Sequence, residues 1–334
     1  MDKTICVFIV GNGFSQGFGF PSLKKLWDIC LQVSSKAFDI KGHFEQSLDK
    51  YPLSYFRKNN IKDIELLLSV WSAYIANYEN TIPDFNNHVS GRGYYEDYLE
   101  NLCGHLLEYG DGVPKYANYS NFKNWLKKEM DNFDFRFITL NYDLVLEKIV
   151  SEIGKKAAYF GDNEAEDVVF IRKLHGSVNW LRADTPNLQR QDGWKPPIIW
   201  SNQKENEYIY NFDADYSSVP FIAFSAPPVI IPPIVNKEYT GIFNEILQFA
   251  LADLKKAKFV FVVGYSLPES DLLIRKFLQD YSRHSLSTGS RFVYINSTPE
   301  HCKEALKVLT GRVEFRDREW SVEIFNEILD SSRL

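Results

Sequence analysis

The feature that most constrains this chain is a recurrence: short, continuous apolar runs stop at a small or polar cluster and lead into a helical pattern. Thr4 to Val10 is the first, nearly unbroken and ended by Gly11. Phe135 to Leu140, Val168 to Leu174, Phe259 to Val263 and Arg291 to Ile295 repeat the form, and Val313 to Phe315 is a shorter sixth run. Strands apolar on both faces belong in a parallel sheet covered on both sides, because a sheet with one wet face would alternate. Helical patterns follow most of these runs, at Leu144 to Ile153, Ser270 to Tyr281, Glu300 to Leu309 and Ser321 to Leu329. Alternating strand and helix predicts βαβ units and an α/β, Rossmann-like, doubly wound parallel sheet.

Two segments break the rhythm. Residues 22–132 hold helical patterns, such as Ile61 to Tyr78 and Tyr94 to Tyr109, without a buried strand, and read as a helical insertion after the first β-α turn. Aromatics at Trp71 to Tyr78 and Tyr94 to Tyr98 suit packing inside that insertion, with a self-assembly surface as the alternative. Residues 182–228 carry Trp194, Pro196-Pro197, Trp200 and a tyrosine-rich stretch, which predicts a second, small irregular or β insertion. With no repeat, low-complexity tract or linker, residues 1–334 are expected to form a single catalytic domain.

Composition narrows the function. The four cysteines, Cys6, Cys30, Cys103 and Cys302, form no C-x-x-C pair, so neither a metal site nor a redox motif is expected. The amino terminus lacks the basic leader and long apolar core of a signal peptide, and no run approaches the ~20 residues that span a bilayer. A cytoplasmic protein without membrane contact is expected. A net charge of −6 gives no general attraction for nucleic-acid phosphates, so direct nucleic-acid binding is not expected.

Five strand ends carry the candidate chemistry. Gly11-Asn12-Gly13-Phe14-Ser15, with Gly19-Phe20-Pro21 after it, lets the backbone turn sharply and approach a phosphate; a plain tight turn explains it equally well. A dehydrogenase G-x-G-x-x-G would place its third glycine where Gln16 stands, which argues against hydride transfer. Thr139-Leu140-Asn141-Tyr142-Asp143 puts polar groups at a strand's carboxyl end, where helix capping is the simpler reading. His175, beside Gly176, has an ordinary pKa of about 6.5 suited to base work. Gly264-Tyr265-Ser266-Leu267-Pro268, with Asp271 beyond it, and Ile295-Asn296-Ser297-Thr298-Pro299 complete the set. Each alone is a turn or cap. Together they are what a long ligand lying across the top of a sheet demands.

Taken in order, the five clusters resemble the sirtuin family, and its NAD-hydrolase branch in prokaryotic antiviral defence more than its protein deacylases. The opening G-A-G-x-S with G-x-P is matched by Gly11, Gly13, Ser15, Gly19 and Pro21, and T-x-N-x-D by Thr139, Asn141 and Asp143. The catalytic histidine and its glycine are matched by His175-Gly176, the G-x-S loop by Gly264 and Ser266, and the I-N motif by Ile295-Asn296. The resemblance implies NAD as substrate. It sets Gly11, Gly13 and Ser15 against the pyrophosphate and Ser266 and Asn296 against the adenosine half, with Asn12, Phe14, Pro21, Thr139, Gly264 and Ser297 in the same binding set. Asn141 would orient the ribose or a water, Asp143 would grip the carboxamide, and His175 would act as base.

Departures from the family matter as much. Ser22-Leu23-Lys24 replaces the deacylase Asp-Phe-Arg triplet, and residues 182–228 hold none of the four cysteines of the family's zinc ribbon. Water then becomes the expected acceptor of ADP-ribose. NAD hydrolysis is the leading reading. A deacylase or ADP-ribosyltransferase, and a non-catalytic NAD- or ADP-ribose-binding module, are the alternatives. A homo-oligomer is expected, with a regulatory partner such as an ATPase or a phage-derived trigger.

Overall fold

The computed structural model describes residues 3–32, 69, 91–161, 167–183, 198–201, 207–210, 228–231, 237 and 239–331. The apolar runs form strands where the pattern predicts them: β1 (Thr4–Val10), β2 (Phe133–Thr139), β4 (Val168–Lys173), β9 (Phe259–Val263), β10 (Arg291–Ile295) and β11 (Val313–Arg316). A short edge strand, β3 (Lys156–Ala158), joins them. These strands make one seven-stranded sheet in the order β11-β10-β9-β1-β2-β4-β3, and every pairing is parallel. This is the predicted Rossmann-like α/β sheet.

Among the described residues the amino-terminal helical stretch contains α1 (Asn12–Gln16), α2 (Leu23–Gln32), α3 (Gly91–Gly112), a 3-10 turn at Val113–Lys115, and α4 (Ala117–Glu129). The pattern at Ile61 to Tyr78 lies outside the described residues except for residue 69, as do the aromatics of Trp71 to Tyr78. Of the Tyr94 to Tyr98 group, Tyr98 is fully buried. Helix α4 packs directly on the sheet, so the helical stretch expected across residues 22–132 ends in a crossover helix of the core. Helix α5 (Val145–Glu152) follows β2 on one side of β1; on the other, α6 (Ile242–Lys256) leads into β9, and α7 (Leu272–Thr288), α8 (Pro299–Val308) and α9 (Val322–Asp330) follow β9, β10 and β11.

Register explains the two faces. Phe8 of β1 lies beside Phe137 and Phe261 in the neighbouring strands, so all three side chains leave the same face. There Phe8 stacks on Phe261 with ring centres 4.8 Å apart and meets Phe325 of α9 at 5.0 Å and Trp125 of α4 at 5.9 Å. On the opposite face Arg136 and Arg172, both fully buried, converge on Asp253 of α6 at 2.6 and 2.7 Å. Buried guanidinium groups survive only when paired and hydrogen-bonded, and this shared carboxylate does that.

Strands at the edges of the second insertion and inside it build a separate four-stranded sheet in the order β7-β6-β5-β8, from β5 (Gly176–Ala183), β6 (Ile198–Ser201), β7 (Glu207–Tyr210) and β8 (Pro228–Ile230). Strand β5 begins immediately after His175, where Gly176 takes a φ of +84°. That left-handed conformation favours glycine and turns the chain from one sheet into the other.

Candidate functional site

From β1 the chain builds β2, β3 and β4 on one side of the sheet, then returns to add β9, β10 and β11 on the other. The carboxyl ends of β1 and β9 therefore flank the point where strand order reverses, which in open α/β sheets is where ligands bind. A cavity of about 660 Å³ opens there. Its volume falls within the ~300–1,000 Å³ range of small-molecule sites. All five sequence clusters contribute: Gly11, Asn12 and Gly13; Asn141 and Asp143; His175; Gly264 and Ser266; and Asn296 and Ser297. Four other candidates, Phe14, Ser15, Pro21 and Thr139, are buried and lie off its wall.

The glycine turn serves the protein before it serves a ligand. The N–H groups of Gly11 and Gly13 donate to the carbonyls of Val263 and Gly264 at 3.1 and 2.8 Å, and Phe14 donates back to Gly11 at 3.0 Å. A Cβ on Gly264, whose φ is +61°, would come within 2.3 Å of the Phe14 nitrogen. Two strand-end turns are thus pressed together, and glycine is required for that contact. Gly11 and Gly13 present a close, side-chain-free wall rather than free N–H donors. Phe14 packs into the core, with ring centres 5.0 Å from Phe18 and 4.9 Å from Trp320.

Around Asn141 the hydrogen bonds run in one direction. Its amide Nδ2 donates to the Gly11 carbonyl and to Ser15 Oγ, both at 2.9 Å, and Ser15 Oγ donates to Asp143 Oδ2 at 2.8 Å. Thr139 Oγ1 accepts from the Asn141 backbone N–H at 3.1 Å, and Asp143 Oδ1 accepts from Val145 at 3.1 Å. Ser15 and Thr139, expected against the ligand, both accept hydrogen bonds from Asn141. With both amide hydrogens spent, Asn141 Oδ1 is the atom left to a ligand, and it can only accept. Lys173, buried at the end of β4, braces the same corner by donating to the Asp143 carbonyl at 2.5 Å and to Glu147 at 3.0 Å.

His175 is buried at the β4–β5 turn. Its Nδ1 lies 3.2 Å from the Leu140 carbonyl and its Nε2 2.8 Å from the Tyr239 hydroxyl. Asp271 stands 3.6 Å from Nε2, held by Lys237 and by the Tyr265 hydroxyl at 2.8 Å. Burial pulls the imidazole down to about 4; Asp271 opposes this and Lys237 adds to it. The ring is neutral near pH 7.

Sequence reasoning missed Lys173, Lys237 and Tyr239, and noted Asp271 without a role. Lys173 had a signal, a charge closing an apolar run. Lys237 and Tyr239 had none, because their segment has no periodicity. Among the described residues no cluster of histidine, cysteine or carboxylate could hold a metal ion, the four cysteines are buried and form no disulfide, and no helix is long and apolar enough to cross a membrane.

A family model described as a SIR2-like domain matches residues 136–312. Similar solved structures include a Sir2 homologue in complex with NAD, 14% identical, covering 99% of this chain and 90% of that chain with a TM-score of 0.41. A mutant Sir2 homologue in complex with ADP-ribose is 13% identical and covers 99% of this chain and 93% of that chain, with a TM-score of 0.43. No curated protein matches by sequence.

Proposed function

The chain belongs to the SIR2-like domain family, and on that premise we propose that it hydrolyses NAD at the bond between nicotinamide and ribose, releasing nicotinamide and ADP-ribose. The observation that carries this reading is the convergence of Asn141, Asp143 and His175 on one cavity at the strand-order reversal. Nicotinamide leaves as a neutral molecule, so the transition state is an oxocarbenium-like ribose that needs positioning and charge support more than leaving-group protonation. Asn141 Oδ1 can accept a hydrogen bond from a ribose hydroxyl or from the attacking water. His175, neutral near pH 7, can take up the proton that water sheds. The absence of cysteine from residues 182–228, where deacylases carry a zinc ribbon, favours water over acetyl-lysine as the acceptor.

The resemblance further supports a role as an NAD-depleting effector of prokaryotic antiviral defence, acting in the cytoplasm as a homo-oligomer under the control of a partner. Both ring nitrogens of His175 are engaged within the protein, which fits an enzyme held off until triggered.

The test is product analysis. Purified chain is incubated with NAD, alone, in its oligomeric fractions and with its genomic neighbours, and nicotinamide and ADP-ribose are quantified by chromatography. Cleavage by the wild type that is lost in Asn141→Ala and His175→Ala supports hydrolysis. O-acetyl-ADP-ribose or a labelled protein as product would replace it with deacylation or ADP-ribosyl transfer. NAD binding without cleavage under every condition would leave a binding module.

A further inference from the structure

What the two ring nitrogens of His175 face is different. Nδ1 meets a backbone carbonyl, which only accepts, so the proton of the neutral ring sits on Nδ1 and the lone pair on Nε2. Nε2 receives the O–H of Tyr239, a phenol that burial holds well above its usual range and therefore protonated. Asp271 Oδ1 lies 3.6 Å from the same nitrogen, and only 6% of the histidine and 3% of the aspartate side chain is exposed. That carboxylate is pinned from two elements, by Tyr265 on Oδ2 and by Lys237 on Oδ1. Among the described residues, Lys237, Tyr239, Tyr265 and Asp271 are the charged and titratable groups gathered around the imidazole and its carboxylate, and the aromatic ring of Tyr142 lies 6.4 Å away.

We propose that Asp271 is a positioning residue for His175, set against Lys237: the carboxylate is the countercharge that lets Nε2 hold a proton, and the ammonium on the same carboxylate oxygen restrains it. The inference takes from the hydrolase reading only the task of His175. When Nε2 accepts a proton from a hydroxyl, the O–H electron pair stays on that oxygen, an N–H bond forms and the ring becomes an imidazolium. Tyr239 can then no longer donate to Nε2. The new N–H needs an acceptor, and among the described residues Asp271 is the negative charge within reach. At this separation in a desolvated pocket a carboxylate stabilises the cation strongly, and an ammonium on the same oxygen offsets much of that gain. Burial alone would make His175 a poor proton acceptor; the balance between Asp271 and Lys237 decides how poor.

The experiment follows the His175 Cε1–H resonance of the full chain against pH, in wild type, Asp271→Asn, Lys237→Met and the double variant, beside the pH profile of NAD cleavage. Asp271→Asn is expected to move the titration to lower pH by about one unit, and Lys237→Met to higher pH by a similar amount. The double variant, which removes both charges of the pair, falls between them and serves if either single variant fails to fold. Loosened packing would hydrate the ring and raise its titration in every variant. A shift in the same direction for both single variants, or none, would overturn the proposal. The acid limb of cleavage should follow the resonance, with kcat for Asp271→Asn down about tenfold or more. Opposite shifts in a chain that never cleaves NAD would uphold the positioning role and reject the hydrolase reading. Cleavage whose acid limb ignores both substitutions would do the reverse.

Discussion

Because both amide hydrogens of Asn141 are spent on Gly11 and Ser15, a change at this position removes donors before it removes anything a ligand meets. Asn141→Asp would set a carboxylate against the Gly11 carbonyl and, through Ser15, against Asp143. It is expected to be less stable than Asn141→Ala by about 1–3 kcal/mol, the cost of an unmet polar group, read as a lower melting temperature in parallel thermal scans. His175 gives a second expectation. Above pH 6.5 the imidazole is neutral in both folded and unfolded chains. As pH falls, the unfolded chain binds the proton first, while the folded ring resists down to about 4. Stability is therefore lost across that window, by roughly 3 kcal/mol at its acid end. Denaturant titrations at pH 7, 5.5 and 4, conditions set by that window, should show a flatter dependence for His175→Asn than for the wild type.

At the scale of elements, the glycine-bearing turns after β1 and β9 act as one unit. Gly264→Ala must place a Cβ against Phe14 from a left-handed backbone, costing about 1–3 kcal/mol from the backbone conformation alone. A lower melting temperature together with weaker NAD binding by calorimetry is the expected result; loss of neither would mean that the turns are not coupled. The strands were legible from sequence because their apolar runs are buried on both faces, and their ends shifted by only a residue or two. Helix α7 was harder. Its pattern was expected to end at Tyr281, yet it runs to Thr288 and stops at Gly289, whose φ is +66°. Among the described side chains of the extension the buried ones are polar, Ser282 and Ser285, and Gly311 lies so close that a Cβ would fall 1.6 Å from the Ser282 carbonyl. Lys237 and Tyr239 escaped notice for a related reason, since they reach the site from a stretch with no repeating pattern.

Across the whole molecule, buried charge ties distant parts of the chain together. Arg136, Arg172 and Asp253 come from two strands and a helix, and no local pattern in any one of them betrays its partners. Asp253→Ala leaves two buried guanidinium groups without their shared carboxylate and is expected to destabilise the fold by about 3–5 kcal/mol, read as a large fall in melting temperature. A shift much below that would show the pairing to be dispensable. The two sheets are joined still more tightly. His175 ends the turn from β4, its own carbonyl accepts a hydrogen bond from Ile231 at 2.8 Å, and Gly176 begins β5 with β8 so near that a Cβ would lie 2.3 Å from the Val229 carbonyl. One peptide unit thus separates the imidazole from the smaller sheet. Mechanically this is a lever with almost no arm: a tug on that sheet reaches the ring with little attenuation, and a substrate that shifts the ring tugs back on the sheet.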